Sequence, residues 1–158
     1  MKKIFIAGLF LFSVVAVSAQ TRITKKGIIG KWTTVAVEMK DVLYYNAQKD
    51  SLAFGPNMKD QVKDEQQRAT TIAMVKPQLA MLAKTFFTFN ANGTAELGTG
   101  IEPAIKANYV VDEVNSTITT VEANKKEDAL KAEMLGDKLR ISIKQPTGDM
   151  MLLLKKAN

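Results

Sequence analysis

A chain of 158 residues that is 46% hydrophobic and 24% charged, with 9 Gly and 4 Pro, has the composition of an ordinary globular protein. It contains no Cys and no His, which excludes disulfide frameworks, thiolate nucleophiles, zinc sites built on either residue, and every Ser-His or Cys-His catalytic pair. The net charge of +6 is modest and scattered, and the pairs Lys25-Lys26 and Lys125-Lys126 read as solvated surface, so nucleic acid is not an expected partner.

The chain begins with an address. Lys2 and Lys3 precede an uncharged apolar run over residues 4–17, and Val17-Ser18-Ala19 supplies the small-x-small pattern cut by a signal peptidase. The run is shorter than a membrane-spanning helix requires. The expectation is therefore a cleaved leader over residues 1–19, and a single domain over residues 20–158 that is periplasmic or secreted. Without a Cys after the cut there is no lipoprotein anchor. Loss of Lys2 and Lys3 leaves 20 basic residues against 16 acidic ones, a net charge of +4.

Strand one is expected to start near Lys31. Strict alternation puts Trp32, Thr34 and Ala36 on one face and Val35, Val37 and Met39 on the other, so both faces look covered. Residues 41–54 are weakly patterned and read as a short hairpin or an irregular loop. Gly55-Pro56-Asn57 breaks the chain, and Asn57 is a candidate N-cap for a helix starting at Met58. Ile72, Val75, Leu79 and Leu82 fall at helical spacing. Pro77 interrupts that stripe and predicts a kink near Lys76, so residues 57–84 form one bent helix or a helix pair.

From residue 85 the pattern changes to short alternating strands separated by turn residues, the signature of an antiparallel meander. Strands over 86–90 and 94–97 flank Asn92-Gly93, a tight-turn dipeptide. Further strands follow over 105–112, 116–121, 130–134 and 139–143. The last, 150–154, is apolar on both faces and suits pairing with strand one to close the sheet. The fold class is mainly β: an up-and-down antiparallel β-barrel of about eight strands, with the helical insertion between the first and second long strands.

Gly30-Lys31-Trp32 at the head of strand one, and later Phe87-Thr88-Phe89-Asn90-Ala91-Asn92-Gly93-Thr94, carry a resemblance. The chain resembles the lipocalin and calycin superfamily, whose first strand opens with Gly-x-Trp. It looks most like small lipocalin-like domains of exported bacterial proteins, in which a Phe-x-Phe-Asn-x-x-Gly-Thr turn follows. The resemblance implies a barrel with one open end that holds a small apolar molecule, and a Trp that plugs the closed end beneath a basic side chain. Gly30, Trp32 and Arg140 are the candidate barrel-end motif, although the parity of Arg140 matches Lys138, Ser142 and Lys144 and favours solvent over a stack on Trp32. The position of the helical segment resembles the helical cap of fatty-acid-binding proteins, so either end could be the open one.

Met74, Met81, Phe87, Phe89, Tyr109 and Met134 could line an apolar site, with Tyr44 and Tyr45 offering hydroxyls beside it. The same side chains could equally fill the core, since an eight-stranded interior either packs solid or holds one small ligand. Asp64-Glu65, Asp112-Glu113 and Glu127-Asp128 lie in polar surroundings and read as solvated charge rather than acid-base pairs. Neither a calcium loop nor a phosphate-binding loop is present; Gly98-Thr99-Gly100 lacks the Gly-Lys-Ser/Thr ending. The expected protein is thus a non-enzymatic, cofactor-free, metal-free binder of a small hydrophobic or amphipathic molecule. The alternative is a filled barrel acting as a protein-interaction or envelope-structure module. Met74 and Met81 discriminate: facing the barrel mouth they form a lid, and facing solvent they suggest a docking surface.

Overall fold

The computed structural model describes residues 20–100, 102–121, 128–145 and 148–157. The expected leader, residues 1–19, lies outside them, as do Lys125 and Lys126. In chain order the elements are β1 (Gln20–Thr21), α1 (Lys25–Ile28), β2 (Gly30–Met39), β3 (Leu43–Asn46), β4 (Ser51–Phe54), α2 (Pro56–Lys59) and α3 (Glu65–Leu82). Then come β5 (Phe86–Phe89), β6 (Thr94–Gly98), β7 (Ile105–Asp112), β8 (Thr117–Val121), β9 (Asp128–Leu135), β10 (Lys138–Ile143) and β11 (Met150–Lys156).

Eight strands close a barrel. β2 pairs with β5, the meander runs from β5 to β11, and β11 returns antiparallel beside β2, from Met150 opposite Met39 to Lys156 opposite Trp32. Pairing the two terminal long strands leaves no open edge between them. β3 and β4 are two extra strands on the same side of β2 as β5: Gly30 to Thr33 pair with β5, whereas Ala36 to Met39 pair with β3. The weakly patterned residues 41–54 therefore form an ordered hairpin wing. At the fork, Thr34 donates its amide (3.1 Å) and its hydroxyl (2.8 Å) to the Thr85 carbonyl.

The alternation expected along β2 is interrupted. Its register with β11 passes from Ala36–Leu153 to Thr34–Leu154 and skips Val35. One extra residue on one strand is a β-bulge, which switches the side-chain parity beyond it. Trp32 and Thr34 face the interior before the bulge, and Val37 takes over after it, opposite the buried Leu152.

The helical insertion lies between β4 and β5, but its break differs from the expected one. α2 starts at Pro56 with Gly55 as N-cap, because Pro suits the first helical position; Asn57 lies inside the helix. Pro77 sits within α3 and does not divide it. The division falls over residues 60–64, where the Asp64 carboxylate accepts from the Gln66 and Gln67 amides (2.8 and 2.9 Å) and caps α3. α3 buries Leu79, with Ile72 and Val75 half-buried, in one core cluster with Leu43, Tyr45 and Phe54 of the wing.

The end of the barrel at which β2 starts is closed from below. Ile23 and Ile28, both fully buried, plug it beside Trp32, and the indole Nε1 donates to the Ile28 carbonyl at 2.7 Å. α1 is capped by Thr24, whose hydroxyl accepts from the Gly27 amide (3.0 Å), and the Lys25 amide donates to Glu113 (2.8 Å). The basic side chain over Trp32 is Lys156, with its ammonium 5.6 Å from the ring centre. Gly30 makes this possible: at φ +125° a Cβ there would lie 2.7 Å from Lys156 Cε. Arg140 does not join this end. It lies on the outer face of β10, opposite Glu133 of β9 in register and bonded to its carboxylate, as its parity implied.

The Asn92-Gly93 turn follows expectation. Gly93 has φ +87°, the Asn90 amide donates to the Thr94 carbonyl (2.8 Å), and Asn92 Oδ1 accepts from both the amide and the hydroxyl of Thr94.

Candidate functional site

The two halves of the barrel interior differ. Toward the closed end, Phe89 stacks on Phe87 at 6.1 Å and meets the edge of Tyr109 at 5.1 Å. The Tyr109 hydroxyl donates to the Asn90 carbonyl (2.9 Å), and burial raises its pKa above the ordinary tyrosine value. Ile118, Leu139 and Leu154 are fully buried around this group, so the lower half is packed core.

Toward the other end lies a cavity of about 190 Å³. Its apolar wall comes from five strands: Phe87 of β5, Leu97 of β6, Ile105 of β7, Ile143 of β10, and Met150 and Leu152 of β11. Leu82 at the end of α3 and Thr85 just beyond it form one side, and Thr99, Glu102 and Pro103 of the β6–β7 loop form the other. The cavity shares Leu82, Thr85, Thr99 and Glu102 with a shallower groove of about 470 Å³ that continues past Gln78 and Met81 on α3. A small apolar chamber thus opens onto a rim that carries two hydroxyls and one carboxylate.

The sequence candidates disperse around this arrangement. Phe87 lines the chamber, and Met81 lines the groove while remaining 56% exposed. Phe89 and Tyr109 belong to the packed half. Met134 is half-buried at the closed end, opposite Leu139 and Thr21. Met74 (66% exposed) and Tyr44 lie on the surface and line neither the chamber nor the groove. Met74 fails to reach the interior because α3 turns its Ile72–Val75–Leu79 stripe inward, and residue 74 falls on the opposite face. Sequence reasoning passed over Thr85, Thr99 and Glu102. The one signal for them is position, since each flanks a barrel strand at the same end.

Tyr45 has a different role. It is buried beneath α3, and its hydroxyl donates to Asp50 Oδ1 (2.9 Å), while Lys76 of α3 pairs with Asp50 Oδ2 (2.7 Å). Burial, and then the neighbouring Asp50 carboxylate, raise the Tyr45 pKa. Asp50 is held below the usual aspartate range by the hydrogen bond from Lys76 and next by that from Tyr45. The three groups tie the tip of the wing to α3. A depressed folded-state pKa stabilises above the unfolded value, about 3.9 for Asp, and its contribution disappears as pH falls through the lower folded value. Thermal midpoints of the wild type and Asp50→Asn should therefore differ at neutral pH, with the wild type higher, and the gap should close as pH falls from about 4 through the lowered Asp50 value. A gap that does not narrow at all on acidification would show that the tether does not depend on the Asp50 charge.

Among the described residues, no cluster of three or more acidic side chains is placed to hold a metal ion, and no helix is long and apolar enough to cross a membrane.

Comparison with protein-family models finds no match. No curated protein matches the chain. Among solved structures, the chain is similar to the crystal structure of a DUF4847 family protein from Bacteroides vulgatus. The two share 14% identity over 83% of this chain and 96% of that one, with a TM-score of 0.48.

Proposed function

We propose that this chain is an exported, lipocalin-like carrier that binds a small hydrophobic or amphipathic molecule at the mouth of its barrel, without catalysis. The observation that carries this reading is the chamber itself, apolar on its walls and polar at its rim, the arrangement an amphiphile requires. The leader-like residues 1–19 support export to the periplasm or beyond. Binding without chemistry is supported by the rim, where among the described residues a single carboxylate stands beside two hydroxyls and no second titratable side chain lines the chamber.

The test is occlusion. Ile105 is 45% exposed at the mouth, so a larger side chain there can be accommodated without crowding the packed half. Ile105→Trp should weaken the binding of a fluorescent alkyl probe by about tenfold or more, while the urea midpoint stays within the range of a surface change. Unchanged probe affinity would remove the mouth as the site.

The interaction-module reading is favoured by one observation, the solvent exposure of Met74 on the outer face of α3. It predicts a protein partner that loses affinity on Met74→Lys, and no response to Ile105→Trp.

A further inference from the structure

The rim narrows the class of ligand, and the inference rests on the carrier reading. Among the described residues, the polar side chains that line the chamber are Thr85, Thr99 and Glu102, and no lysine or arginine lines the chamber or the adjoining groove. Thr85 is 8% exposed. Its carbonyl is occupied by Thr34, but its hydroxyl makes no hydrogen bond among the described residues, although it borders both spaces. The hydroxyl oxygen itself keeps access to the mouth, so it is free to bond the polar group of a ligand. Glu102 likewise has no ion pair or hydrogen bond among the described residues, and an ionised carboxylate only accepts hydrogen bonds.

We propose that the mouth takes a single-chain amphiphile whose head is a primary ammonium, with the tail in the chamber and the head between Glu102 and the Thr85 and Thr99 hydroxyls. An ammonium supplies three donors to a rim of acceptors. A carboxylate or phosphate head would face Glu102 with no lining cation among the described residues to compensate. This distinguishes the site from one built for fatty acids. A chamber of about 190 Å³ also lies below the range of about 300–1,000 Å³ usual for drug-sized ligands, which favours one unbranched chain over fused rings or paired tails.

Calorimetric titration of the chain with decylamine, 1-decanol and decanoate at pH 7, each below its micelle concentration, tests the assignment. Decylamine should bind about tenfold more tightly than decanoate, because the ammonium gains and the carboxylate loses at the same Glu102, with decanol between them. Glu102→Gln should bring the amine and the acid close to parity while leaving decanol unchanged. Decanoate binding as tightly as decylamine, or an amine preference that survives Glu102→Gln, would overturn the head-group assignment and leave the carrier reading in place. Binding of none of the three would overturn the carrier reading and the assignment with it.

Discussion

Replacing Trp32 with alanine is expected to cost about 3–5 kcal/mol, the range for truncating a large buried aromatic. Three contributions converge at this one side chain. It is 1% exposed and fills the closed end against Ile23 and Ile28, its indole nitrogen satisfies the Ile28 carbonyl, and its ring carries the Lys156 ammonium. The first dominates, since a hydrogen bond contributes roughly 1 kcal/mol and an exposed cation–π contact about as much or less. Set against a typical domain stability of about 5–15 kcal/mol, the loss should lower Tm by roughly 10 °C. Trp32→Phe, which retains most of the volume, should recover more than half of the difference. Urea denaturation of both variants checks this, and equal destabilisation by Phe and Ala would show that the hydrogen bond, rather than the packing, secures the closed end.

Leu79→Ala is expected to release α3 while the barrel remains folded. Leu79 is 4% exposed and is the buried residue of an 18-residue helix. Leu→Ala costs about 2–5 kcal/mol at such sites, and the helix has only half-buried contacts and the Lys76–Asp50 tether to offset it. The loss should therefore appear as local opening, not global unfolding. Amide hydrogen exchange should show protection falling along α3 in the variant and surviving at Trp32 of β2 and Ile141 of β10. Uniform loss of protection would mean that α3 and the barrel fold as one cooperative unit. Because Leu82 of the same helix walls the chamber, this variant should also weaken probe binding.

The barrel was legible in the sequence because half-buried strands write their geometry as period-two alternation. Leu139 and Ile141 against Arg140 and Ser142 give the clearest instance, and Asn92-Gly93 marks its turn through a backbone conformation few other residues adopt. Pairing of the last strand with the first was also legible, but the Lys156–Trp32 contact was not, since the expected strand ended at Leu154 and the register that opposes those residues passes through a bulge. The Val35 bulge was not, because alternation across an extra residue reads as a strand covered on both faces. The break in the helical segment was misplaced for a related reason: Pro77 is a strong local signal, but Leu79 and its neighbours dock α3 on both sides of it, whereas Asp64 marks the true start through a cap.

The chamber was hidden for a deeper reason. Its wall comes from strands spread from Phe87 to Leu152, and which aromatic residues fill space and which bound it depends on depth along the barrel. Phe87 and Phe89 share one face of β5, yet Phe87 lines the chamber and Phe89 lies in the packed half. Alternation specifies the face and carries no information on depth.

Methyl-resolved NMR during titration with decylamine tests the central claim most directly. Binding at the mouth should shift the methyl signals of Ile143, Met150, Leu152 and Leu82 and leave Ile118, Leu139 and Leu154 of the packed half unmoved. Shifts confined to Met74 and its surface neighbours on α3, with the mouth methyls silent, would contradict it and identify the outer face of that helix as the working surface.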